Sequence, residues 1–574
     1  SFGLMYTFDN DDDGNEGCRA VCITPGGDYG FFGAEGSRSW QADRREGLST
    51  FEAHWHQADP GVMPAGTSTG SGGPCGVTVY EETRIPELMG HVLAADAGRS
   101  LVYDFRPEVV GAEVVLHKSV LLQPSKSERG ERGAWFRPSD VCVGPDGSIY
   151  VADWYDPGVG GHAAGDREAY GRILRLVPSI NSGDSTVGLE HQALLKVSRH
   201  CWESTRGQIS QVGTSEFIAA ILNEALTHSN PRVRLAAFES GMAIGLSAVN
   251  WGPKFASDTS PLVRARVATR LSDDSWLHCA KTLTQLALGY DGQDRTYLEA
   301  IGVGAQGKES ELYMALVERH DLAPKLKGDS AQAPGAEFSD RSGFLLDYAW
   351  RLHPPEAFDL LKSEATRPDA DLARRRKCLD AIAFMPERQA AEFMVSQALA
   401  GAADIRTYAA KWVENRSTNL WSAYGLQGEV GGDFDAAAIL WRSDSISEHP
   451  VLADVDVTGV SKLWLVVEDG DNGNGYDWAD WIDPKVMTGR GAKSLLALPW
   501  FEARAGWGSV QKGKNCNGGE LKVGGQVFTN GIGTHAASRI GLELPEDAMR
   551  LTVSCAPDDG GFQGSAKPSI RFAI

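Results

Sequence analysis

No apolar run in the 574 residues approaches the roughly 20 that a membrane-spanning helix needs, and stretches such as Leu495–Trp500 are the longest present. No transmembrane segment is expected. Basic residues are also in short supply, with 55 Lys and Arg against 76 Asp and Glu and a formal charge of −21. Such a field repels phosphate backbones and anionic lipid surfaces, which makes nucleic acid a poor partner. Cysteine is scattered: the only close pair among nine is Cys18 and Cys22, and no histidine follows it. A zinc ribbon and a Cys-x-x-Cys-His haem attachment are therefore absent, and the odd count leaves at least one thiol unpaired within the chain. The first residue is Ser1, and no basic-then-apolar leader follows. Strand-like Phe2–Phe8 reads as the start of a mature, cleaved or partly observed polypeptide.

Glycine, by contrast, is plentiful at 66 residues, about 11% against the usual ~7%, which implies many tight turns. The length suggests three or four folding units, and three textures divide the chain. Residues 1–178 alternate short β-rich runs with Gly, Pro and Asp turns, including Gly3–Phe8, Gly76–Tyr80, Gly90–Ala95, Ser100–Phe105, Asp140–Val143, Ser148–Ala152 and Arg172–Val177. This pattern points to a propeller, barrel or sandwich, and Pro145-Asp146-Gly147 between two runs favours propeller blades. A six-bladed propeller needs about 250 residues, so the segment supplies about three or four blades; the other blades then lie upstream or on a second chain.

From 190 to 425 the text becomes rich in Ala, Leu and Arg, with amphipathic segments such as Ser215–Thr227, Arg232–Ile244, Pro261–Leu271 and Asp371–Ala383. These are expected helices. Ser229-Asn230-Pro231-Arg232-Val233-Arg234 returns thirty residues later as Thr259-Ser260-Pro261-Leu262-Val263-Arg264. Each copy has a proline suited to a first helical turn, then Val-Arg, then alanines that admit a neighbouring helix. That is the pattern of an α-solenoid of HEAT-like repeats, with an irregular helical domain as the alternative. Residues 435–574 return to alternating strands and glycines, which suits a β-sandwich of galactose-binding-like jelly-roll type.

In this last segment Asp454–Gly459, Leu463–Asp471, Asp477-Trp478-Ala479-Asp480-Trp481, Gly531-Ile532-Gly533-Thr534-His535 and Ser569-Ile570-Arg571-Phe572 occur in order. Together they resemble the NPCBM family of carbohydrate-binding modules. Sugar recognition uses aromatic faces against C–H surfaces and planar polar groups against hydroxyls. Trp478, Trp481 and Trp507 offer the first, and Asp480, His535 and Arg539 the second. The competing reading places the tryptophans in the core and has His535 brace a loop. The acidic turn Asp469–Asn474 reads either as a calcium loop or as a solvated turn.

Near the start, Asp9, Asp11 and Asp13 stand at alternate positions before Gly14, a spacing that lets a bent loop wrap a hard cation such as calcium. An EF-hand is excluded, because its twelfth position would be Ala20. Gly26–Phe31 follows, a segment similar to one in the quinoprotein propellers; on Tyr6–Asn10, His54-Trp55-His56, Phe136–Val141, Gly144–Gly147, Asp153–His162 and Gly171–Arg175, residues 1–178 resemble the propeller of the planctomycete-type "membrane-bound dehydrogenase domain" proteins. More distantly they resemble soluble quinoprotein glucose dehydrogenases. The resemblance implies HEAT repeats after the propeller, calcium, a pyrroloquinoline quinone (PQQ) cofactor and electron transfer to a c-type cytochrome. It also implies a base to take a hydroxyl proton, for which His54, His56 and His162 are candidates, and an arginine to polarise the quinone, for which Arg137 stands nearest. Ser139 occupies the place of that arginine's expected partner.

These expectations describe a periplasmic or extracellular modular protein that binds a glycan and oxidises a sugar or alcohol. The alternative is a non-catalytic scaffold that presents binding surfaces to polysaccharide or to protein, favoured by Ser139 and by the missing haem motif. A hydrolase is a third reading for which no carboxylate pair is nominated.

Overall fold

The computed structural model describes residues 4–10, 17–33, 45, 47–124, 135–156, 171–177, 225–243, 245–319, 341–424, 426, 439–470, 475–562 and 567–574. The chain divides into two compact units, Ser1–Gly425 and Leu426–Ile574.

The first unit begins with three antiparallel meanders. Strands β1 (Met5–Asp9), β2 (Cys18–Ile23) and β3 (Thr67–Gly70) form one, and β4 (Pro74–Val79), β5 (Val92–Asp96), β6 (Leu101–Val110) and β7 (Glu113–Leu122) form the next. The third contains β8 (Pro138–Val143), β9 (Ile149–Asp153) and β10 (Arg172–Leu176). The middle sheet is covered on both faces. Val92 and Ala94 pack with Phe8 and Ala20 of the first sheet, while Leu93 and Ala95 pack with Val141, Ile149 and Val151 of the third. That double burial explains why β5 is a continuous apolar run rather than an alternating one. Among the described residues no closed barrel or ring of sheets is present.

A short helix, α1 (Thr50–His54), interrupts the strands; it starts at a Ser49–Glu52 capping box. The helical region contains α2 (Pro231–Ala243), α3 (Ala248–Trp251), α4 (Pro261–Thr269), α5 (Trp276–Ala287), α6 (Arg295–Gly304) and α7 (Glu309–Glu318). It continues with α8 (Arg341–Leu352), α9 (Phe358–Thr366), α10 (Leu372–Ala383), α11 (Arg388–Ala400) and α12 (Ala403–Ser417). Most of the segment expected as a helix at Ser215–Thr227 lies outside the described residues. The two repeat arginines occupy equivalent places: Arg234 Nη1 donates to the carbonyl six residues back, His228, at 2.7 Å, and Arg264 Nη1 does so to Asp258 at 2.6 Å. No described helix is long and apolar enough to cross a membrane.

Helices and sheets of this unit share buried polar contacts. Arg295 Nη2 donates to the Asp59 and Val62 carbonyls, both at 3.0 Å, and Asp294 accepts the Ala112 N–H at 2.7 Å. Arg45 pairs with Asp59 and, at 3.3 Å, with Asp380, which also accepts from Tyr408 and Trp412. Strand-rich and helical segments are therefore one packed body.

The second unit is a β-sandwich. One sheet runs β11 (Val451–Asp456), β21 (Ala548–Pro557), β13 (Trp478–Thr488), β19 (Gly531–His535), β16 (Gln511–Lys512), with β14 (Gly491–Ser494) also on β13. The other runs β15 (Trp500–Arg504), β20 (Ser538–Glu543), β12 (Lys462–Asp469), β22 (Ile570–Ala573). Both sheets feed one core, with Val455, Trp481, Ile532 and Val553 from the first facing Leu465, Ile540 and Phe572 from the second. A hairpin of β17 (Leu521–Val523) and β18 (Gln526–Phe528) lies on the outer face, where Leu521 and Val523 pack against Ile482 and Ala556.

Candidate functional site

Side chains alternate along a strand. In β13, Ala479 and Trp481 enter the core, so Trp478 and Asp480 face outward. The register sets Trp478 opposite His535 of β19. Trp507, between Gly506 and Gly508, completes the group. A Cβ at Gly506 would lie 2.3 Å from the Ala536 carbonyl oxygen, and one at Gly508 2.3 Å from that of Cys516. Only glycines let the chain press against both backbones, and this seats the Trp507 ring on Trp478, with centroids 5.4 Å apart and planes at 29°. Trp507 also lies 5.8 Å from the His535 ring, and it remains 37% exposed.

The floor under Trp478 is the turn Asp558–Gly561. Gly560 is required there, because a Cβ would sit 2.5 Å from the indole. Beside this turn, Tyr476 and Phe562 are 45% and 38% exposed. Neither was among the sequence candidates, although Tyr476 directly precedes the Asp477–Trp481 motif.

His535 is buried, with Nδ1 2.6 Å from the Ala536 carbonyl oxygen. A carbonyl only accepts, so the proton sits on Nδ1 and Nε2 carries the lone pair. Burial lowers the imidazole pKa, which keeps the ring neutral. The rim thus offers indole faces for apolar C–H surfaces and a hydrogen-bond acceptor for a hydroxyl.

The remaining sequence candidates lie elsewhere. Trp481 is fully buried edge-on against Phe572, with ring centroids 4.9 Å apart, and is a core residue. Asp480 is buried beneath the rim rather than on it. Arg539 belongs to the other sheet, where Nε meets Glu502 at 2.5 Å. In the first unit His54 and His56 are both buried. His54 lies edge-on to Trp55, centroids 4.3 Å apart, and His56 Nδ1 is 2.8 Å from the Gly30 carbonyl oxygen. Arg137 bonds the Ser100 hydroxyl through its guanidinium and donates its backbone N–H to Asp153 at 2.8 Å. His162 lies outside the described residues. Asp9 accepts from Arg19 Nε at 3.0 Å and from the Thr7 hydroxyl at 2.8 Å. Asp11, Asp13 and Asp471–Asn474 lie outside the described residues. Among the described residues no group of three or more His, Cys, Asp or Glu side chains is arranged to hold a metal.

Residues 429–487 and 491–574 match the NPCBM/NEW2 domain, which points to carbohydrate binding by the second unit. Residues 41–164 match a domain of unknown function, DUF7133, which lends no support to a dehydrogenase domain. No curated protein and no solved structure matches the chain.

Proposed function

We propose that the chain is a secreted or periplasmic glycan-binding protein whose second unit holds sugar at the Trp478–Trp507–His535 rim, with the first unit as a scaffold. The carrying observation is the stacked tryptophan pair, one ring still exposed, beside a neutral histidine whose Nε2 is an acceptor. The three stacked meanders support a reading as consecutive propeller blades, and the thirty-residue recurrence of Arg234 and Arg264 supports HEAT-like repeats behind them. A scaffold is favoured over an oxidase of sugars or alcohols because His54 and His56 are buried against backbone and indole.

One shallow site with one or two stacking aromatics supplies about 4–6 kcal/mol, a Kd of millimolar to tens of micromolar. The full chain is expected to be retained on an array of neutral and acidic polysaccharides and released by the matching free sugar. Absence of retention across both classes would refute the reading.

A further inference from the structure

Asp480 occupies the outward face of β13 near the middle of its sheet. Its neighbour across β19 is Gly533, where a Cβ would come within 2.3 Å of the Lys514 carbonyl oxygen, so the loop Lys514–Glu520 lies directly over this face. The side chain is fully buried, and neither carboxyl oxygen meets a hydrogen-bond donor. Across β21 its partner is Ala556. Asp558, two residues further along, is the diagonal neighbour on the same face, and burial first, then the Asp558 charge, raises the Asp480 pKa well above the usual carboxylate range.

Asp558 has its own donors. Oδ1 accepts the Gly560 N–H at 2.8 Å and Oδ2 the Lys522 N–H at 2.9 Å. Both of its oxygens are thus satisfied by backbone N–H groups. A second buried carboxylate against it, with no donor of its own, would be an uncompensated charge. The groups facing Asp480 offer no relief: Asp558 and Asp559 come from the turn after β21, and the Cys516 thiol from the covering loop is pushed up by burial and by both aspartates, so it stays neutral. No ion pair to Asp480 or Asp558 occurs among the described residues.

We propose that Asp480 is a carboxylic acid at neutral pH, that its proton is shared with Asp558, and that this proton latches the turn under Trp478. The connection is continuous. Asp558 N–H donates to the Trp478 carbonyl and Gly561 N–H to the Asp558 carbonyl, both at 3.0 Å, and Gly560 lies against the indole that stacks on Trp507. Loss of the proton sets two carboxylates against each other beneath the rim, and the turn and Trp478 move apart. Only the step from the latch to sugar affinity rests on the glycan reading above; the latch itself does not.

The test uses the full chain without sugar. Infrared spectra at neutral pH are expected to contain a protonated-carboxyl carbonyl band that Asp480→Asn abolishes. Asp558→Asn, whose amide can donate to an ionised Asp480, should abolish the same band with Asp480 still in place, which covers the case in which Asp480→Asn fails to fold. Tryptophan emission of the parent should change in one step at alkaline pH, and Asp480→Asn should keep the neutral-pH emission throughout. No carbonyl band, or an alkaline step that survives in Asp480→Asn, would overturn the proposal. So would release of a stoichiometric cation on chelator dialysis with a matching change in emission, because a metal would then neutralise the pair. Sugar retention is scored separately: an intact latch with no retention defeats the glycan reading alone.

Discussion

Replacing Arg234 by alanine should destabilise the first unit by about 3–5 kcal/mol, the cost of stranding one partner of a buried ion pair. Its guanidinium meets both Asp258 oxygens at 2.8 Å and also donates to the His228 and Ser229 carbonyls at 2.7 and 3.0 Å. The side chains are only 10% and 8% exposed, so water does little to replace what is lost. Without Arg234 the Asp258 carboxylate keeps the Ser260 N–H at 2.8 Å, one donor for a buried charge. All described α-helices lie in the first unit, so the helical far-UV circular dichroism signal during urea unfolding follows that unit. The midpoint should fall by roughly 1–2 M. Replacing Asp258 by asparagine in the same chain should recover part of the loss, because the stranded charge is gone. A loss under about 1 kcal/mol, or a double variant no better than the single one, would refute this reasoning.

His353 provides a pH signature. Burial and the nearby Arg351 and Arg416 charges lower its pKa to about 4, so the unfolded chain takes up this proton first as pH falls from about 6.5. Stability of the first unit should drop between those values by at most about 3 kcal/mol, and His353→Gln should flatten that part of the profile. Gly560→Ala would put a methyl into the Trp478 indole and should weaken sugar retention at least tenfold, with the helical signal unchanged. Arg539→Ala, which breaks the pair with Glu502 on the opposite sheet, should alter retention less than twofold; a loss matching that of the rim variants would return Arg539 to the site.

Local pattern made much of the fold legible. The expected run Ser148–Ala152 is β9 to within a residue, because Gly144–Gly147 supplies its turn and Ile149 and Val151 alternate inward. Pro261 marks the start of α4 for a similarly local reason. The site was legible in composition but not in assignment. Trp478 and Trp481 are three residues apart and so face opposite sides of any strand, yet only the core position of Ala479 and Trp481 decides which one is outward. Arg539 looked like a site residue until Glu502, 37 positions away, took its charge. The histidines at 54 and 56 carry no local mark of burial; Gly30 and Trp55 bury them through contacts that are set only when the sheets assemble. Asp558 could have been found, since Pro557-Asp558-Asp559-Gly560-Gly561 is a turn signal beside a strand end.

The central claim rests on two indole faces, and retention of three full-length chains on a polysaccharide array tests it most directly. The parent should be retained, and Trp507→Ala and Trp478→Ala should each lose about 1–2 kcal/mol of binding, a five- to thirtyfold drop, with urea unfolding of the first unit unchanged. Equal retention by all three chains would contradict the account.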